Sequence, residues 1–128
     1  ILMLKISKKI QFSSDENKMN SIANTKIARK LYYSSKSQNV KFLLEKRFSW
    51  MNKFIDENDL GIEVGSGAGF TKDFIKNKNF KLTDLGNDDH LDFKNIDAQN
   101  TGFKSESFNY VIASNMIHHI PFPMKFFK

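Results

Sequence analysis

The sequence predicts an α/β fold, a doubly wound and mostly parallel sheet. Three observations carry that expectation. A short apolar run, Leu60-Gly-Ile-Glu-Val, ends in three alternating glycines at Gly65, Gly67 and Gly69. Downstream, short apolar runs alternate with polar, helix-compatible segments, the pattern of strand–helix–strand units. Strands joined through helices run parallel, because a crossover returns the chain to the same end of the sheet. At 128 residues the chain is at most one domain, and 40% hydrophobic residues with 13 Phe suffice for a core.

Residues 1–14 alternate weakly and read as a loose strand or a tail. Residues 15–34 read as a helix, with Met19, Ile22, Ala23, Ile27 and Leu31 near helical spacing, broken at Tyr32-Tyr33-Ser34-Ser35. Ser37 is placed to cap a second helix from about Gln38 to Glu57. Its apolar stripe of Val40, Leu43, Leu44, Phe48, Met51, Phe54 and Ile55, with Trp50 beside it, is expected to pack into the core. Asp56-Glu-Asn-Asp59 leads into a first strand at 60–64, and a helix follows at 69–77. Phe80 and Leu82 mark a second strand ending at Asp84. Asn87-Asp-Asp-His90 is a polar turn, and Ile96-Asp-Ala98 reads as a brief third strand. Phe108 to Ala113 reads as a buried fourth strand, and Pro121 and Pro123 open the next helix.

The glycines mark the chemistry. Glycine after a strand permits a sharp turn and lets a ligand touch backbone. The dinucleotide fingerprint G-x-G-x-x-G is not met, because Phe70 stands where its third glycine belongs, and the phosphate-binding G-x-x-x-x-G-K-[ST] is absent. What remains is acidic-x-G-x-G-x-G over Glu63, Gly65, Gly67 and Gly69. Asp84 follows Glu63 at the second strand's end, where an acidic residue can accept from both hydroxyls of a ribose.

This motif resembles the first motif of class I S-adenosylmethionine-dependent methyltransferases. Phe103-Lys-Ser-Glu-Ser-Phe-Asn-Tyr-Val and the Ile117-His-His119 segment resemble that family's fourth-strand region, with Asn109 where the family usually has Asp. The resemblance covers residues 60–124. It implies a Rossmann-like sheet, seen here to about the fourth strand, with an amino-terminal helical cap at 1–57 and an incomplete cofactor-binding domain at 58–128. It implies S-adenosylmethionine as cofactor. Glu63, Gly65, Ser66, Gly67 and Gly69 would form the loop side of its site and Asp84 the ribose side. Asp97 and Ala98 would meet the adenine, and Asn115 and Met116 would lie beside the loop. The cofactor's carboxylate is expected at the N-terminus of the helix after the loop, and its ammonium near an acidic group. His118 is the candidate catalytic base, with His119 packed against the core. The implied reaction is methyl transfer to an oxygen, nitrogen or carbon of a small molecule. A nucleotide- or NAD-binding Rossmann protein, or a binding remnant without turnover, stands as the alternative.

Composition narrows the partners. There is no Cys, hence no disulfide framework or thiol chemistry. Net charge is +6, but the 20 basic residues are scattered and nearly all Lys, which reads as a solvated surface and not a nucleic-acid footprint. Ser114-Asn-Met-Ile replaces the Pro-Pro-aromatic segment of nucleobase amino methylases, which also disfavours nucleic acid. Adjacent His118 and His119 diverge on any regular element, and His90 is the third and last imidazole, so no metal is expected. The amino-terminal apolar run is too short for a signal peptide, and no run reaches the roughly 18 residues of a membrane helix, so a cytoplasmic protein is expected. The chain starts at Ile1 and stops at Lys128 in a helix-like stretch, which reads as the amino-terminal part of a longer protein.

Overall fold

A computed structural model describes residues 25–34 and 38–127. The expected element at 1–14, the first half of the 15–34 helix and the Ser37 cap lie outside the described residues. Helix α1 occupies residues 25–34 and α2 Gln38–Phe48. Three strands follow, β1 at Gly61–Val64, β2 at Phe80–Thr83 and β3 at Tyr110–Ile112, and a short α3 closes at Pro123–Phe126.

The strands form one parallel sheet in the order β2-β1-β3. The chain thus goes out to one side of β1 and returns to the other, the arrangement that creates a switch point at the strands' carboxyl ends. All four β1 residues are buried, as befits a central strand. Register is set at its first residue. Gly61 pairs with Phe80 on one side and Tyr110 on the other. The two rings stack with centroids 6.0 Å apart at 12°. A Cβ on Gly61 would sit 1.9 Å from the Tyr110 ring, so only glycine lets the rings meet over β1. Asn109 clips the entrance: its side-chain oxygen accepts the Leu60 N–H at 2.8 Å, and its own N–H donates to the Leu60 carbonyl at 2.8 Å.

The core is Ile75, Phe80, Leu82, Leu91 and Ile112, with Met51, Ile55 and Tyr110 packed against it. Side chains of this size each contribute about 1.5–3 kcal/mol by leaving water.

Several expected elements form differently. The helix from Gln38 turns into a 3-10 segment, Ser49–Lys53, and ends before Asp56. Asn52 explains the tightening: its amide donates to the Ser49 carbonyl at 2.9 Å and to the Phe74 carbonyl at 2.8 Å, tying the turn to the sheet's flank. The expected apolar stripe is only partly core. Phe48 is buried and Met51 and Ile55 pack inward, whereas Val40, Leu43, Trp50 and Phe54 are exposed, Phe54 by 77%. Helix α1 reaches Ser34, the expected end of the 15–34 helix. Tyr32 near that end is buried, its ring 4.3 Å from that of Phe70.

The helix expected at 69–77 is a four-residue 3-10 turn, Phe70–Asp73. Asn52 accounts for the early stop: its side-chain oxygen accepts the Lys76 N–H at 2.8 Å and its amide donates to the Phe74 carbonyl at 2.8 Å, taking backbone groups that a continuing helix would use. The third strand expected at 96–98 does not form. Asp92 places a carboxylate oxygen 2.9 Å from the Leu82 N–H, and Asn95 takes φ +56°, so a single bridge, Thr83 to Phe93, replaces a ladder. Asp97 then accepts the Gln99 N–H at 2.8 Å in a side-chain turn. Finally, β3 is not buried throughout: Ile112 is inside, but Val111 is 56% exposed.

Candidate functional site

The carboxyl ends of all three strands meet at the glycine loop. Gly65, Gly67 and Gly69 have φ of +70°, +52° and +69°, the left-handed region that disfavours every residue with a Cβ. The loop is locked to β2: the Ser66 N–H donates to the Thr83 carbonyl at 2.9 Å, and the Thr83 N–H donates to the Ser66 hydroxyl at 3.1 Å. The three glycines face different surroundings. A Cβ at Gly65 would meet Met116 Cβ at 2.7 Å, and one at Gly69 would meet Leu82 Cδ1 at 2.8 Å. A Cβ at Gly67 would meet nothing within 4 Å beyond its chain neighbours. The middle glycine therefore faces open space while its neighbours face protein.

Glu63 on β1 is 2% exposed. The Thr71 hydroxyl donates to its Oε1 at 2.8 Å, and Oε2 has no partner among the described residues. Burial pushes the carboxyl up from 4.5 to about 7; the Thr71 bond offsets this in part and nearby Asp84 adds to it. An unpartnered buried carboxylate oxygen is costly unless something cationic or donating completes it.

Asp84 follows β2 directly. Its Oδ2 accepts the Gly67 N–H at 2.8 Å and its Oδ1 the Gly86 N–H at 3.2 Å. Asp84 thus holds the middle of the loop and keeps lone pairs free for a further donor. Residues not singled out in the sequence also join the site. His90 places Nε2 2.8 Å from the Gly67 carbonyl, and its ring crowds the space over Gly69. From α1, the Arg29 guanidinium donates to the Ala68 carbonyl. Thr71 could have been suspected from its position just past the glycines; Arg29, 34 residues before Glu63, carries no local signal at all.

The remaining sequence candidates are less gathered. Met116 is buried and packs on Gly65. Asn115 is exposed with φ +58°. Asp97 is exposed and Ala98 half-buried, in the turn after the Phe93 bridge. His118 and His119 are both exposed, with ring centroids 4.0 Å apart, so His119 does not pack into the core as expected. No cluster of three metal-ligating side chains occurs among the described residues.

The site thus joins a parallel sheet with β1 central, three left-handed glycines after it and an acidic residue just past β2. A family model described as a methyltransferase domain matches residues 67–128. The chain is similar to a methyltransferase domain over that segment, a little under half of its length. The match starts within the glycine loop, so Glu63, Gly65 and the helical residues before them lie upstream of it. No curated protein and no solved structure matches the chain. Methyltransferases of this family generally bind S-adenosylmethionine, and the residues here fit such a group: open space at Gly67, an unpartnered buried oxygen on Glu63, and Asp84 at the strand end. No helix among the described residues is long and apolar enough to cross a membrane.

Proposed function

We propose that this protein binds S-adenosylmethionine at the carboxyl end of β1 and transfers its methyl group to a small-molecule acceptor. The observation that carries the reading is the pair of carboxylates, Glu63 and Asp84, at the ends of adjacent strands beside the one loop glycine that faces open space. Asp84 accepts from the ribose hydroxyls. Glu63 offers its free oxygen to the cofactor's ammonium. Ser66 and the glycines allow close backbone approach, and Met116 shapes the wall over Gly65. Asp97, Ala98 and Asn115 are the adenine-side and rim candidates. His118, exposed beyond β3, is the candidate base that takes the acceptor's proton. The chemistry the cofactor supplies when bound is an electrophilic sulfonium methyl group; the chain's own residues contribute alignment and proximity. The scattered Lys surface supports no nucleic-acid substrate.

Calorimetry tests this reading. S-adenosylmethionine and S-adenosylhomocysteine should bind the wild-type protein, and Asp84→Ala should weaken both by about 1–3 kcal/mol through loss of hydrogen bonds. Tight NADH binding without S-adenosylmethionine binding overturns the proposal in favour of a nucleotide-binding protein.

A further inference from the structure

The cofactor assignment leaves one charge unaccounted for. An amino-acid end brings a carboxylate as well as an ammonium, and Glu63 serves only the second. The expected receiver of the carboxylate, the N-terminus of a helix after the loop, is not present: the turn there has four residues of 3-10 geometry. Three of the loop's amides are also committed. Ser66 N–H goes to the Thr83 carbonyl at 2.9 Å, Gly67 N–H to Asp84 at 2.8 Å, and Gly69 N–H to the Ser66 carbonyl at 2.8 Å. Of the acidic side chains already at the loop, Asp84 is negative and Glu63 adds a second negative charge above about pH 7. A ligand carboxylate entering here meets repulsion unless a cation answers it.

Arg29 is that cation. Its Nη1 donates to the carbonyl of Ala68, the residue between Gly67 and Gly69, which sets the guanidinium on the loop. One contact uses one of five N–H donors, so the planar group keeps donors for a bidentate partner. The side chain is held in place from behind. The Tyr33 ring lies 5.1 Å beneath the guanidinium, and the Tyr33 hydroxyl donates to both Asp73 oxygens at 3.2 and 3.1 Å, fixing α1 to the turn after the loop. The Tyr32 ring against Phe70 adds a second tie. Lys72, the nearest cation along the chain, is turned away to the Phe80 carbonyl and Asp92.

We propose that Arg29, delivered from α1 across the glycine loop, binds the carboxylate of the cofactor's amino-acid end. α1 is then part of the cofactor site, not only a cover over the substrate. The inference rests on the function proposed above, and its test separates the two. Affinities are measured by calorimetry for S-adenosylmethionine and for its decarboxylated analogue, which keeps the ammonium and lacks only the carboxylate. In the wild type, S-adenosylmethionine should bind more tightly than the analogue by about tenfold or more, the worth of a charge-assisted hydrogen bond. Arg29→Gln, which keeps a donor for Ala68, should lower S-adenosylmethionine affinity by that factor and leave the analogue unchanged. Arg29→Lys should recover part of the loss. An equal loss for both ligands in Arg29→Gln overturns the proposal and leaves Arg29 as a loop tether. No loss for either overturns it as well. A wild-type protein that binds neither ligand refutes the cofactor reading itself.

Discussion

Replacing Glu63 by Gln should flatten the pH dependence of folding stability. Glu63 is 2% exposed, and its carboxyl is pushed up from 4.5 to about 7, mainly by burial. Below pH 4.5 the folded and unfolded chains both hold the proton, and Glu63 costs nothing beyond its neutral burial. Between 4.5 and about 7 the unfolded chain releases the proton while the folded chain retains it, so stability falls as pH rises. Above about 7 the folded chain carries a buried charge and the loss is complete, at about 3 kcal/mol in all. Gln has the same shape, still accepts from Thr71, and does not titrate. Urea denaturation at pH 5 and pH 8 should therefore show the wild type losing about 2–3 kcal/mol relative to Glu63→Gln over that interval. Stability curves that run parallel would mean that Glu63 ionises freely in the folded protein. The environment argued here, a carboxyl without a counter-charge, would then be wrong.

The glycines separate folding from binding. Gly69→Ala carries a left-handed backbone cost of about 1–2 kcal/mol and also places a Cβ 2.8 Å from Leu82 and 2.9 Å from His90, so it should lower the midpoint of thermal unfolding clearly. Gly67→Ala carries the backbone cost alone, since its Cβ would meet nothing within 4 Å beyond its chain neighbours. It should lower the midpoint less than Gly69→Ala does, yet lose affinity for S-adenosylhomocysteine, and the reverse ranking of the two variants would place the opening at the wrong glycine.

The part of the fold legible in the sequence was the part set by local pattern. The run at 60–64 and the pair Phe80 and Leu82 became β1 and β2, because alternation and burial agree there. The loop was readable because three left-handed φ values in five residues leave glycine as the only comfortable choice. Elements failed where a side chain competed for backbone partners. The carboxylate of Asp92 took the Leu82 N–H that a third strand needed, and Asn52 took the Lys76 N–H and the Phe74 carbonyl, which left the helix after the loop at one turn. Apolar spacing in α2 predicted a core stripe, but spacing cannot say how much partner surface is available, and Leu43 and Phe54 remain outside. Arg29 was invisible for a different reason: it reaches the loop from a separate helix, 39 residues before the carbonyl it contacts.

The central claim is that the opening at Gly67 is a cofactor site, and amide chemical shifts measure it most directly. Titrating S-adenosylhomocysteine into labelled protein should move the amide signals of Gly65, Gly67, Gly69 and Gly86. The Gly67 and Gly86 N–H groups report through Asp84, while Gly102, in the segment leading to β3, should stay in place. Saturating ligand with unmoved loop glycines, or the largest shifts at residues far from the carboxyl ends of β1 and β2, would contradict the account.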